Sequence, residues 1–288
     1  MSTRLKLYDR VAEDAASIVI RSYSTSFSAA SRLLGVDVRQ HIENIYALVR
    51  IADEIVDGGA EEAGLDLVST SRQLNELERE TELAMEQGFS ANLIVHAFAL
   101  TAREVSFGAD LTAPFFESMR MDLSQKVHDQ PSFERYVYGS AEVVGVMCLC
   151  AFLHGHDVSD EQRAKLEHGA RALGAAFQKV NFLRDLAADF ETLGRSYFPG
   201  IDIATFSEDE KVRLLDDLDN DLRDAAIGSE LPTSSRKAVA LAHSLFAQLS
   251  KRIRATPASE LVRTRVRVPD GVKLRLAAAA AIGVSPRI

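Results

Sequence analysis

The sequence predicts an all-α fold in one domain, and three observations carry that prediction. Apolar residues recur with a period near 3.6 from about residue 8 to about residue 280. No run alternates apolar and polar residues for long enough to form a strand. Hydrophobic residues make up 47% of the 288, tryptophan is absent, and only seven prolines interrupt the chain, as suits a helical globule. A chain of this length can enclose a large interior in one unit. No break has the composition of an interdomain linker and no internal repeat is evident, so a single domain is expected over 1–288, with its core at about 8–282.

Each element has its own local signals. The opening stretch, "MSTRLKLYDRVAEDAASIVI", mixes acids among its apolar residues and lacks the h-region and small-residue cleavage site of a signal peptide. A long apolar helix is expected over "HIENIYALVRIADEIVDGG" (41–59). Breaks are expected at "FGADLTAP" (107–114), "VHDQPS" (127–132), "HGHDVS" (154–159), "FPGIDIATFS" (198–207), "GSELPTSS" (228–235), "TPAS" (256–259) and "VPDG" (268–271). Two of them carry capping boxes, Ser159 with Gln162 and Ser207 with Glu210, so helices should begin near 160 and 208. The histidines of "HGHD" (154–157) belong to a helix terminus rather than to a metal site.

Charge and cysteine usage exclude several classes. A formal charge of −9 leaves no basic surplus for phosphate neutralisation, so nucleic acid is not expected as the main partner. Cys148 and Cys150, two apart on a helix, point to nearly opposite sides, which argues against a mutual disulfide and implies a reducing, cytoplasmic setting. No stretch approaches ~20 uncharged apolar residues, so no bilayer span is expected.

Two polar stripes lie on otherwise apolar helices. In 41–59, Tyr46, Arg50, Asp53 and Asp57 are spaced by four, three and four and fall within roughly 60° of one another at about 100° per residue. Isoleucine, valine, leucine and alanine wrap most of the remaining circumference, which marks that helix for burial. In "FQKVNFLRDLAADF" (177–190), Gln178, Asn181, Asp185 and Asp189 are spaced by three, four and four and fall within roughly 80°. Unpaired carboxylates in a packed core cost several kcal/mol each or take up a proton. Such stripes therefore need a cationic partner or a wet cavity. One DxxxD pair is ordinarily a solvated face or an ion-pair donor. Two, each beside an arginine and amide or phenol groups, fit facing ligand sets for Mg²⁺ around a diphosphate, with Arg50 and Arg184 placed to contact phosphate oxygens.

On these residues the chain resembles the squalene and phytoene synthase family of head-to-head prenyl transferases. The matching pieces are "YSTSF" (23–27), "YALVRIADEIVD" (46–57), "YVYGSAEVVG" (136–145), "FQKVNFLRDLAADF" (177–190), "GRSYFP" (194–199) and "RVRVPDGVKL" (265–274). The wording of several is most like that of actinobacterial phytoene synthases. The resemblance implies an isoprenoid-synthase-type helical bundle around a central cavity. It implies that Asp53, Asp57, Asn181, Asp185 and Asp189 hold Mg²⁺, for which Mn²⁺ can substitute. It further implies substrate contacts from Tyr46, Arg50, Gln178, Arg184 and Phe246, a flap formed by Tyr23, Ser24, Thr25 and Ser26, and a position near the reacting centre for Tyr136. On their helix Tyr136, Ser140, Val143 and Met147 share a side, which either walls a prenyl channel or is ordinary core packing.

Three positions depart from the family's pattern. Glu142 stands where glycine is usual and is expected to pair outside the channel; Thr25 replaces a flap lysine; Phe246 replaces a late tyrosine. The expected reaction is condensation of two geranylgeranyl diphosphates to phytoene in carotenoid biosynthesis, without NADPH. The alternatives are squalene or dehydrosqualene synthesis from farnesyl diphosphate, and a non-catalytic assembly protein, which intact aspartate motifs disfavour. The basic tail with Arg263, Arg265, Arg267, Lys273, Arg275 and Arg287 raises two further expectations: peripheral contact with the inner face of the cell membrane, or a lid on the active site. Contact with a downstream desaturase is also expected.

Overall fold

A computed structural model describes residues 3–193, 196–226 and 230–281, and of residues 25, 26 and 187–193 the backbone alone. The described residues form helices α1 (Thr3–Tyr23), α2 (Thr25–Ser31), α3 (Val36–Val56), α4 (Gly59–Glu62), α5 (Leu67–Gln87), α6 (Leu93–Val105) and α7 (Ala109–Ser124). These are followed by α8 (Gln130–Val137), a π-helical turn (Tyr138–Glu142), α9 (Val143–Leu153), α10 (Asp160–Leu193), α11 (Glu208–Asp224), α12 (Thr233–Ala255), α13 (Ala258–Leu261) and α14 (Asp270–Ala281). No strand occurs among the described residues; the only bridge there pairs Val127 with Ser196.

Local chemistry sets many of the ends. Ser159 Oγ accepts from Gln162 N at 3.2 Å, one residue before α10, and Ser207 with Glu210 closes the capping box of α11, as the spacing predicted. Asp129, followed by Pro131 in the first turn, caps α8. Two further turns hinge on glycines in the left-handed region, Gly58 at φ 112° and Gly88 at φ 80°, conformations that cost other residues more. The break expected at 107–114 is shorter, because α7 already starts at Ala109 and carries Pro114 within it. Proline ordinarily disrupts a helix interior. Here tertiary packing overrides that preference: the Pro114 carbonyl lies against Gly139 of the π-helical turn, where a Cβ would come within 2.1 Å of it.

Apolar faces bury in two large clusters on either side of the inner helices. One joins α8, α10, α11, α12 and the C-terminal elements through residues such as Val180, Leu183, Leu215, Leu218 and Ile253. The other joins α3, α5, α6, α7 and α9 through Ile45, Leu48, Leu74, Phe98, Phe116 and Met147. The stretch Gln130–Leu153 is long and apolar enough to cross a membrane, and 56% of its most apolar window is buried within the fold. It packs as a core element beside α10.

The approach of α9 to α10 is set by absent side chains. A Cβ on Gly145 would lie 2.4 Å from the Ala170 carbonyl oxygen, and one on Gly174 would lie 2.4 Å from that of Ala141. The pairing of 145 with 170 and of 141 with 174 also shows that the two helices run antiparallel. Gly174→Ala is therefore expected to cost about 1–3 kcal/mol through forced separation of the helices. Gly271→Ala, which meets open space, leaves the melting temperature unchanged. Equal thermal midpoints for the two variants would show that this contact does not constrain the fold.

Candidate active site

One face of α10 changes character along its length. Leu166, Gly169, Ala170, Leu173, Gly174 and Phe177 give way to Gln178, Asn181 and Arg184, and all nine line a cavity of about 890 Å³. Their spacing of three and one keeps them on one side of the helix. On α3 the same change runs from Ile42 and Ile45 through Tyr46 and Val49 to Arg50 and Asp53, which line the same cavity. Both helices place their polar residues toward their C-terminal ends. Tyr46, Arg50 and Asp53 of one stripe and Gln178 and Asn181 of the other thus line one cavity, whereas Asp57 and Asp185 are outside its lining, and the apolar residues of both helices line the rest.

Negative charge is concentrated at that polar end. Burial pushes the Asp53 carboxyl well above the usual carboxylate range; the Asp57 carboxylate adds to the shift, Arg50 opposes it, and Asp122 adds again. The 32% exposure of the Asp53 side chain opens into the cavity, so protein still surrounds it. Arg50 pairs with Glu54, lies 3.9 Å from Asp53, and stacks its guanidinium 4.6 Å from the centre of the Tyr23 ring. Asp185 is held from two sides. Arg184 Nε donates to its oxygens at 3.0 and 3.1 Å, and Arg265 Nε reaches Oδ1 at 2.6 Å.

Arg265 comes from the segment between α13 and α14, which closes over the cavity with Arg267 and Lys273 also in its lining. Three residues of the basic tail therefore border the cavity; Arg265 pairs with Asp185 and Lys273 with Asp270. Arg287 lies outside the described residues.

Among the described residues no three acidic, histidine or cysteine side chains gather as a metal site, but the oxygen donors at the polar end are of the kind a hard divalent cation takes. Asn181 Oδ1 is buried without a hydrogen-bond partner, a costly state for a carbonyl oxygen that lines a cavity. Asp53, whose proton affinity burial and then the Asp57 carboxylate raise, is a carboxyl that its surroundings leave short of positive charge. Asp57 caps α3 at the surface, and the Asp189 side chain lies outside the described residues. Oxygen ligands of this kind suit Mg²⁺.

Of the flap residues, Tyr23 ends α1, and Ser24 caps α2 by accepting from Phe27 N at 3.1 Å. Both line the cavity beside Tyr46. The side chains of Thr25 and Ser26 lie outside the described residues. Phe246 is in the wall, its ring 3.8 Å from that of Phe177. Phe27 sits 6.0 Å from each of Tyr46, Phe177 and Phe246. These four rings form a belt between the charged end and the apolar depth.

Tyr136 is placed differently from the expectation of a channel-lining side. It is buried, and its hydroxyl donates to Asp122 Oδ2 at 2.8 Å. Val143 and Met147 pack into the core beside α7, whereas Ser140, Val144 and Cys148 line the cavity. The π-helical turn at Tyr138–Glu142 takes more residues per turn than an α-helix and shifts the phase of all that comes after it. Cys148, half-buried in the wall, has a thiol that desolvation pushes up to about 12, which leaves it unreactive. Glu142 pairs with Arg171 at 2.8 Å, outside the cavity as expected.

Asp122 is the residue that motif reasoning missed. It also accepts from the Tyr197 hydroxyl at 3.1 Å, and His128 stacks on Tyr197 at 5.8 Å. Burial, and behind it Asp122, holds the Tyr136 hydroxyl far above the ordinary phenol pKa, so it remains a donor. A signal was available. Asp122 falls on the same side of α7 as the buried Phe115, Ser118 and Met119, where a carboxylate needs partners.

The Asp53 shift has a pH consequence. Between the ordinary carboxylate pKa of about 3.9 and its raised native value, the folded state binds more protons than the unfolded state. Stability therefore falls as pH rises through that window. Asp53→Asn is expected to raise the melting temperature of metal-free protein by a few degrees at neutral pH, with the gain shrinking toward about pH 4. Millimolar Mg²⁺ should then stabilise the wild type more than the variant. Thermal melts in chelator across this range check both, and a pH-independent loss of stability in Asp53→Asn would contradict the assignment.

Comparison with known proteins agrees with this geometry. The chain is 27% identical over 271 residues to a 15-cis-phytoene synthase of a Paracoccus species, covering 88% of this chain and 85% of that one. It is 28% identical over 204 residues to a 4,4'-diapophytoene synthase of Staphylococcus haemolyticus, covering 70% and 66%. A bifunctional lycopene cyclase/phytoene synthase of Colletotrichum graminicola is 30% identical over 192 residues, covering 61% of this chain; the match spans only 32% of that longer relative. Among solved structures, a dehydrosqualene synthase superposes with a TM-score of 0.75 at 19% identity, covering 94% of this chain and 96% of that one. A squalene synthase of Alicyclobacillus acidocaldarius does so at 0.72 and 20%, covering 86% and 95%. Residues 20–271 match the sequence profile of squalene/phytoene synthases; with this helical bundle and its opposed polar stripes, the chain belongs to the squalene/phytoene synthase family of prenyl transferases.

Proposed function

We propose that the protein condenses two geranylgeranyl diphosphates head to head into phytoene, as a step of carotenoid biosynthesis. The observation that carries this reading is the single cavity that is charged at one end and apolar beyond. Phosphate oxygens belong at the first and prenyl chains in the second. Asp53, Asp57, Asn181, Asp185 and Asp189 would hold Mg²⁺, which when bound would neutralise a departing diphosphate. Arg50, Arg184, Arg265 and Lys273 are placed to bind phosphate oxygens, the arginines through paired N–H donors.

The rest of the wall governs the fate of the carbocations. Loss of diphosphate from the donor leaves an allylic cation, which the double bond of the acceptor attacks. Loss of a proton then closes a cyclopropane, giving prephytoene diphosphate. That intermediate loses its own diphosphate, rearranges to a 1,1′-linked cation and releases a second proton to form the central double bond. The released diphosphate accepts the protons, and no reductant is consumed. The belt of Phe27, Tyr46, Phe177 and Phe246 excludes water and turns π faces toward positive charge.

A second reading, dehydrosqualene synthesis from farnesyl diphosphate, is favoured by the likeness to the 4,4'-diapophytoene synthase. Incubation with Mg²⁺ and either the fifteen- or the twenty-carbon diphosphate, with and without NADPH, separates the two. Phytoene from the twenty-carbon substrate without NADPH is expected; squalene formed only with NADPH would overturn the proposal. Asp185→Asn should lower turnover by roughly a hundredfold or more while the protein stays folded, and full activity would remove the carboxylate from the site.

A further inference from the structure

The cavity's depth can be measured along one ruler. From Arg184 at the charged end to Leu166 is eighteen residues of continuous helix α10, or about 27 Å at the rise of an α-helix. A fully extended geranylgeranyl chain has sixteen main-chain carbons and measures about 20 Å from ordinary carbon bond geometry, and a farnesyl chain about 15 Å. Measured from Asn181, a farnesyl chain ends near Leu173 and Ala170, and only the longer chain passes beyond.

The wall changes at that level. Gly169 and Ala170 on α10 and Ala242 on α12 carry little or no side chain. Beyond them Phe152, Leu166 and Leu231 close the cavity, packed in a cluster separate from the two main cores. The direction of α12 supports the placement: Phe246 stacks on Phe177 in the belt, while Val239, seven residues earlier, packs with Leu166 and Leu231. Ala242 lies between those levels.

We infer that Ala170 and Ala242 are the specificity-determining residues of this chain. The space they leave holds the fourth isoprene unit of a twenty-carbon diphosphate, with Phe152, Leu166 and Leu231 as its floor. This rests on the reading of the cavity as a prenyl site and adds which residues measure the chain. A side chain added at either alanine fills the space the last unit needs and leaves the first three units untouched. Even a single methylene misfit in an apolar pocket changes discrimination by about tenfold or more.

The test uses the purified full chain carrying Ala242→Phe or, on the neighbouring helix, Ala170→Leu. Two readouts are taken: affinity for non-hydrolysable fifteen- and twenty-carbon thiolodiphosphates in the presence of Mg²⁺, and the ratio of C40 to C30 hydrocarbon from an equimolar substrate mixture. Each variant should lose at least about tenfold in affinity for the twenty-carbon analogue while its affinity for the fifteen-carbon analogue stays within about twofold. The product ratio should move toward C30 by the same factor. Folded variants that keep the wild-type preference for chain length, or that lose both analogues equally, overturn the inference. Selective binding without any hydrocarbon would instead refute the proposed reaction and leave the chain-measuring role standing.

Discussion

Asp53, at the polar end of the cavity, has two carboxylates near enough to act on it, Asp57 at the end of α3 and Asp122 on α7, while Asp185 on α10 is held by Arg184 and Arg265. Like charges at short range in a poorly screened interior repel strongly, and the surrounding architecture answers that repulsion. Arg50 lies between Asp53, Glu54 and Tyr23; Arg184 and Arg265 together hold Asp185; two phenol hydroxyls satisfy Asp122. Asp53 keeps a raised proton affinity, chiefly because it is buried and next because of Asp57, and the Asn181 oxygen stays without a hydrogen-bond partner.

The deep half depends on the opposite kind of chemistry. Glycines 145 and 174 let α9 and α10 pack backbone against backbone, and glycine 169 and alanines 170 and 242 leave room on the cavity side. A ring belt separates this dry region from the charged end. One helix, α10, carries both halves on a single face, so the distance from phosphate to floor is fixed by helical rise and cannot drift with loop conformation. Rigid placement of that kind favours selection by length.

Much of this was legible in the chain because helical periodicity is local. The all-α class, the capped starts of α10 and α11, and both polar stripes follow from residues within a few turns of one another. Glu142 pairing away from the channel came from the same arithmetic. The channel face of α9 did not, because the π-helical turn shifts the phase by tertiary demand: Gly139 must meet Pro114 closely. Pro114 within α7 has the same origin.

Asp122, Tyr197 and Arg265 show where local reading ends. Asp122 is 14 residues from one of its tyrosine partners and 75 from the other, and Arg265 is 80 from Asp185. No periodicity links positions so far apart. By itself the sequence determined which residues share a helix face and that two such faces, too polar for a core, needed a cationic partner or a wet cavity. The tertiary structure alone decided that three basic residues of the C-terminal segment border the cavity, that a third carboxylate joins the site, and how deep the apolar end runs. The physical reason is range: helical geometry repeats every few residues, whereas opposition across a cavity, charge compensation and depth arise only when distant segments pack.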